Sequence, residues 1–235
     1  MSRHIAIIGD FDPTLPSHRA IPVAIATAAV ILSYDVKTTW IATDDVDDRI
    51  RGYDGLWCAP GTPYRSAEGM LFALHYARTA DVPMLATSGG FHYALVEYAR
   101  NVGRVGEADS AEVEPNTSTP VVAPLARPLV GVAETVRIAA GSRLREACNR
   151  SASQEHFDCR FGLNPLFESL FRGGAMRGCA AAMAGETCAV EAPNNRFYIA
   201  TLYQPEVSAL AARIHPLVLT FVHFVTEDDD AQSVA

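Results

Sequence analysis

Three short clusters in this chain place reactive residue types at the ends of apolar runs. Thr87-Ser88-Gly89-Gly90 follows the run Val82–Thr87 and opens a helical pattern. Its small residues permit a sharp strand–turn–helix elbow. Such an elbow lifts a nucleophile out of the sheet and aims backbone N–H groups at a developing oxyanion. Pro60-Gly61-Thr62-Pro63-Tyr64-Arg65 is a second strand end, and Tyr203-Gln204-Pro205-Glu206 is a third. Taken singly, each reads first as a tight turn. His92 lies one helical turn past Ser88, so an i, i+4 contact would let it serve as a base; the alternative is a satisfied or solvent-facing histidine. Cys159 stands beside Arg160, whose charge would lower the thiol pKa and make it reactive. The alternative for Cys159 is a half-buried structural cysteine.

These clusters need a frame that gathers strand ends. Ile5–Ile8 reads as a fully apolar strand ending in Gly9-Asp10, and Arg19–Ser33 as an Ala-rich helix. Val36–Ile41 and Tyr53–Cys58 read as strands. Ser66 caps a helix that runs through Arg78. Val82–Thr87 is a further strand, and Gly89–Asn101 a helix. Short strands alternating with helices of 10–15 residues predict a parallel sheet covered on both faces. Ligands in such sheets sit at the carboxyl ends of the strands, where the three clusters fall.

The second half is less regular. Arg127–Ile138, Met176–Met183, Thr187–Val190 and Arg196–Tyr203 read as strands. Ser142–Ala147, Pro165–Phe171 and His215–Val225 read as helices, and Gly106–Thr119 is the most loop-like stretch. There is no internal repeat. The expected organisation is a single α/β domain over 1–226 and an acidic tail over 227–235.

With 235 residues, 49% hydrophobic and 20% charged, the chain is long enough for one large core. A formal charge of −8 argues against a general nucleic-acid binder, which needs a basic surface. The longest apolar stretch, Ile21–Leu32, is interrupted by Pro22 and is shorter than the ~20 residues that span a bilayer. The apolar run at Ile5–Ile8 is too short for a secretory signal. A cytoplasmic protein without membrane association is the expectation. Five Cys without a CxxC pair suggest neither a disulfide framework nor a zinc site, and no cofactor motif is present. The acidic composition is compatible with a homo-oligomer.

The run Met84–Val102 resembles the nucleophile elbow and following helix of class I glutamine amidotransferases, and specifically the glutaminase domain of CTP synthase. The likeness continues in the same order through 108–117, Thr135–Ile138, Glu155–Asn164 and His215-Pro216-Leu217. It covers nearly the whole chain. Gly89-Gly90-Phe91, the run Phe161–Pro165 and Ala200–Tyr203 further resemble a free-standing group, the CTP synthase C-terminal region-related proteins. That group usually has Cys at the elbow and lacks the standard His. The resemblance implies a three-layer α/β domain with a largely parallel central sheet. It also implies a small amino-acid or amide ligand.

Several site positions depart from the family pattern. Ser88 replaces the nucleophilic Cys, either by natural divergence or as a Cys→Ser replacement. Gln204-Pro205-Glu206 replaces the His-Pro-Glu that supplies base and orienting carboxylate. His92 replaces a substrate-seating Gln. The loop that contributes an oxyanion N–H has become Gly61-Thr62-Pro63, in which Pro63 has no N–H to give. By the same resemblance, Gly61 and Gly89 belong to the substrate cradle, Glu112 falls where the family holds the substrate's amino group, and Arg160 where it places the amino-acid end. A structural ion pair is the alternative for Glu112 and Arg160.

A serine hydroxyl is a weaker acid than a thiol and depends more on a base, and Gln204 cannot accept a proton at neutral pH. Ordinary glutaminase action is therefore not expected. Two readings stay open. One is an altered amide or γ-glutamyl hydrolase working at Ser88 or Cys159. The other is a non-catalytic ligand-binding or regulatory module with a synthase-like protein partner. No Gly-x-x-x-x-Gly-Lys-Ser/Thr phosphate loop is present, so CTP synthesis by this chain alone is not expected.

Overall fold

Strand β1 (Arg3–Ile8) is buried from Ile5 through Ile8 because apolar side chains point to both of its faces and both faces are covered. β1 pairs in parallel with β2 (Val36–Ile41) on one side and β3 (Gly55–Cys58) on the other. β3 pairs in parallel with β4 (Met84–Thr87), and β4 with β10 (Tyr198–Thr201). This parallel half was expected from the alternating pattern. The structure, a computed structural model, describes residues 2–227. Of the acidic tail expected over 227–235, all but Glu227 lies outside the described residues.

Beyond β10 the sheet, ten-stranded among the described residues, turns antiparallel. Its order is β2-β1-β3-β4-β10-β9-β8-β6-β5, with β9 at Thr187–Glu191, β8 at Arg177–Ala182, β6 at Pro120–Ile138 and β5 at Asp109–Ser110. β7 (Ala152–Leu163) pairs with β6 off this path. The antiparallel pairing extends as far as β6 and β7, and the short β5 pairs in parallel with β6. β6 begins seven residues earlier than the strand expected over Arg127–Ile138, and β7 was not anticipated as a strand. The alternation Phe157, Cys159, Phe161, Leu163 carries the signal for β7 in a segment otherwise dense in charge. The stretch Pro165–Phe171 is a 3-10 helix, and α4 (Arg143–Cys148) is the short helix expected near Ser142.

Helices cover both faces. α2 (Ala67–Thr79) packs with α3 (Gly89–Asn101), while α1 (Pro16–Leu32) packs with α5 (Pro216–Thr226), which also meets α4. The layers are therefore helix, sheet, helix. Ser66 caps α2 by accepting from the Gly69 amide at 3.0 Å, as its position predicts. Trp57 and Phe221 meet edge-to-face in the core, with ring centres 5.7 Å apart. Among the described residues, no single helix is long and apolar enough to cross a membrane.

Candidate active-site cleft

The ends of β1, β3, β4 and β10 open onto one cleft of about 330 Å³. Ser88 follows β4 directly and caps α3 with φ 51° and ψ −107°. That conformation is sparsely populated for a residue with a Cβ and costs on the order of 1–3 kcal/mol. The surroundings hold it there. The Ser88 amide donates to the Thr201 carbonyl at 2.8 Å, and the Ser88 carbonyl accepts from the His92 amide at 3.2 Å. The elbow anticipated from Thr87-Ser88-Gly89-Gly90 is present.

Two glycines let other elements close on this elbow. A Cβ at Gly90 would stand 2.4 Å from the Cys58 carbonyl oxygen, so only glycine lets α3 approach the end of β3. A Cβ at Gly89 would stand 2.8 Å from Thr62 Cγ2 and 3.3 Å from the Thr62 amide nitrogen. The 60–62 loop thus lies directly over the elbow. Gly61 and Thr62 line the cleft and keep their amides, whereas Pro63 does not line it. The expectation that Pro63 removes the oxyanion donor is therefore corrected: amides of the same loop remain beside Gly89.

This loop is anchored from β1 and α1. Buried His18 accepts from the Asp12 amide through Nδ1 at 2.9 Å, which leaves Nε2–H to donate to the Pro60 carbonyl at 2.9 Å. Burial pushes the His18 pKa down, consistent with the neutral ring these partners require. Asp10, at the end of β1, accepts from the Thr43 amide at 2.9 Å and the Arg65 amide at 2.7 Å. Neither anchor was singled out from the sequence, because both act across contacts distant along the chain.

The third cluster follows β10. Gln204 is buried at the cleft wall, and its amide donates to the His156 carbonyl at 2.8 Å. Glu206 is fully buried behind it. The Thr87 hydroxyl donates to Glu206 Oε1 at 3.3 Å, while Oε2 is buried without a partner among the described residues. Burial raises the Glu206 pKa to about 8, so the carboxyl is largely protonated at neutral pH. Gln204 offers this carboxyl no imidazole.

Glu112, His92, Cys159 and Arg160 all reach the cleft, but two of them do not have the character expected. His92 Nδ1 donates to Glu112 Oε2 at 2.8 Å, and its Nε2 lies 3.1 Å from the Phe161 carbonyl oxygen. Both nitrogens are thus committed away from Ser88, which corrects the reading of His92 as a displaced base. Cys159 is buried, and desolvation together with Asp158 and Glu112 pushes its pKa up to about 12. Desolvation comes first among the causes and no contribution from the exposed Arg160 offsets it, so Cys159 is an inert structural thiol at neutral pH. Arg160 is exposed at the cleft rim. His156 and Asp158, which were not singled out from the sequence, line the same cleft, as does Thr62 of the 60–62 loop. The first two share a face of β7 with Arg160, a consequence of the period-two alternation.

In sequence, the chain is 31% identical to CTP synthase of Pyrococcus furiosus over 98% of its own length, and 26% identical to that of Saccharolobus solfataricus over 94%. It spans 46% and 44% of those proteins. In structure, the CTPS glutaminase domain of Trypanosoma brucei, solved with bound acivicin, superposes with a TM-score of 0.87. That match covers 97% of this chain and 95% of the other at 20% identity. The chain is CTP synthase-like in sequence and has the fold of a class I glutamine amidotransferase domain. A glutamine amidotransferase from Thermotoga maritima shares the fold more distantly, with a TM-score of 0.59 at 8% identity. No protein-family model matches the chain. The elbow of this amidotransferase-like domain therefore carries Ser88, and its position 204 carries an amide side chain.

Proposed function

We propose that this amidotransferase-like domain binds a small amide ligand in the Ser88 cleft without turning over glutamine as an ordinary glutaminase. The observation that carries the reading is the pairing of an intact elbow with an unserved carboxyl. Ser88, Gly89 and the 60–62 loop form a cradle for a carbonyl oxygen, while Glu206 Oε2 has no partner and Gln204 has no basic nitrogen. A cradle without a base stabilises a bound carbonyl and does not activate a hydroxyl. Such a module works by reporting ligand occupancy, with a synthase-like protein as its partner.

Calorimetric titration with small amides, run beside a coupled ammonia assay, tests this. Saturable binding that Arg160→Ala weakens at least five-fold, with ammonia release at the no-enzyme rate, is the expected result. Sustained ammonia release from L-glutamine overturns it.

One observation favours a second reading, an altered amide hydrolase. The His156 ring lines the cleft, its carbonyl is tied to Gln204, and its side chain has no partner among the described residues. In that case Ser88 Oγ attacks the amide carbon and His156 takes the hydroxyl proton. His156 then returns the proton to the leaving nitrogen, and water cleaves the acyl-serine. Turnover of any amide that both Ser88→Ala and His156→Ala abolish would establish this reading over the first.

A further inference from the structure

The contact between His92 and Glu112 sets the charge of the cleft floor. Glu112 Oε2 receives Nδ1–H of His92 at 2.8 Å, and the opposite ring nitrogen faces the Phe161 carbonyl oxygen at 3.1 Å. Both partners are acceptors, so a ring donating through both nitrogens satisfies both contacts, whereas a neutral ring turns a lone pair toward an oxygen. The His92 side chain is 2% exposed, and that of Glu112 is 24% exposed. Desolvation alone would raise the Glu112 pKa, but the His92 hydrogen bond and charge, with a further hydrogen bond from Thr62, bring it below its ordinary value. Glu112 is thus an ionised carboxylate whose charge is already matched inside the protein.

A ligand ammonium needs an uncommitted carboxylate once it leaves water, because burying an unpaired charge is costly. Glu112 does not offer one. An ammonium placed there would share Oε2 with His92, or take Oε1 of a carboxylate whose charge His92 and the Thr62 hydrogen bond already offset. Asp158, the other carboxylate on the cleft wall, is exposed at the rim, where an ion pair contributes little. A ligand carboxylate meets the opposite situation. Arg160 is exposed at the same rim, but it carries no ion pair among the described residues, and its planar fork makes two parallel hydrogen bonds to a carboxylate, the geometry in which an exposed pair keeps its value.

We infer that the cleft selects small ω-amide carboxylates that lack an α-amino group, with the amide at the Ser88 elbow, the carboxylate toward Arg160, and His92 as the residue that excludes the ammonium. This rests on the reading of the cleft as an amide-ligand site and adds the class of ligand. Glutaramate, which is glutamine without its amino group, is the discriminating probe.

The test is calorimetric titration of the full chain with glutaramate and with L-glutamine, at neutral pH and matched ionic strength. Glutaramate is expected to bind at least ten-fold more tightly. In His92→Gln, with its fold checked by circular dichroism, Glu112 is released and the preference is expected to narrow at least five-fold through tighter glutamine binding. Equal or tighter binding of glutamine by the parent overturns the inference and leaves the amide-ligand reading standing. An unchanged preference in folded His92→Gln overturns the role of His92. Failure of both ligands to bind overturns the amide-ligand reading itself, and the inference with it. The parent's own preference decides the ligand class even if the variant does not fold.

Discussion

The Thr87 hydroxyl lies 3.3 Å from Glu206 Oε1 and 3.2 Å from the indole nitrogen of Trp57, so it accepts from the indole N–H and donates its own O–H to the carboxyl. The other oxygen of this carboxyl, Oε2, has no partner among the described residues. Burial lifts the pKa to about 8 from an ordinary 4.5. Between those values the folded chain keeps a proton that the unfolded chain has lost. The contribution of this carboxyl to stability is thus fully present below pH 4.5 and is lost as pH rises through about 8. Glu206→Gln removes this titration. The variant is expected to match the parent near pH 4.5 and to melt about 5 °C higher near pH 8.5. Thermal melts at both pH values check it, and a difference that does not grow with pH refutes the protonated carboxyl.

The same orphaned oxygen tells what the site lacks. Glu206 Oε2 is an uncommitted acceptor, and position 204, two residues earlier, carries Gln204 and no imidazole. Ser88→Cys alone supplies a thiol without a base. Ser88→Cys combined with Gln204→His supplies both, and the imidazole gives Glu206 a partner that favours its ionised form. Ammonia release from amide substrates is expected to stay at background in the single variant and to rise about 100-fold or more in the double variant. Equal activity in the two would mean that Gln204 is not what silences the site.

How much of this was legible beforehand depended on the range of the contacts. The elbow at Ser88 is a local event of strand, small residues and helix, and the parallel order of β1 to β4 follows from alternating elements. The antiparallel half was partly hidden because β7 carries Glu155, His156, Asp158 and Arg160 on a strand whose apolar face is only Phe157, Cys159, Phe161 and Leu163. His92 was misjudged for a similar reason. Its i, i+4 spacing from Ser88 is visible in sequence, but its partners lie 20 and 69 residues away. A desolvated position cannot be read from a neighbour's charge either, and Cys159 beside Arg160 illustrates this.

That desolvation has a direct chemical readout. All five cysteines are buried, and Cys159, the one that touches the cleft, has its pKa pushed up to about 12. At pH 7.5 the thiolate fraction is negligible, and thiolate is the reacting form. Ellman's reagent is expected to find less than about one reactive thiol per native chain over several minutes, and five after denaturation. Cys159→Ser is expected to leave ligand binding within about two-fold of the parent, since the thiol supplies no charge to the cleft. Rapid labelling of Cys159 in the native protein would contradict its assignment as structural.

The cleft also depends on how closely α3 meets the end of β3. Gly90 is the contact, because a Cβ there would stand 2.4 Å from the carbonyl oxygen of Cys58. That oxygen belongs to backbone in a fully buried strand and cannot swing aside as a flexible side chain would. Gly90→Ala must therefore push the helix and strand apart. Overpacking of this kind costs about 1–3 kcal/mol, and here the displacement falls on the strained Ser88 turn as well. Urea denaturation is expected to show a lower midpoint at unchanged slope, with ligand binding weakened by more than the stability loss explains, because the elbow itself moves. Gly52→Ala is the control, since a Cβ there meets nothing within 4 Å. If Gly90→Ala is no more destabilising than Gly52→Ala, the close approach of α3 to β3 does not set the geometry of the elbow.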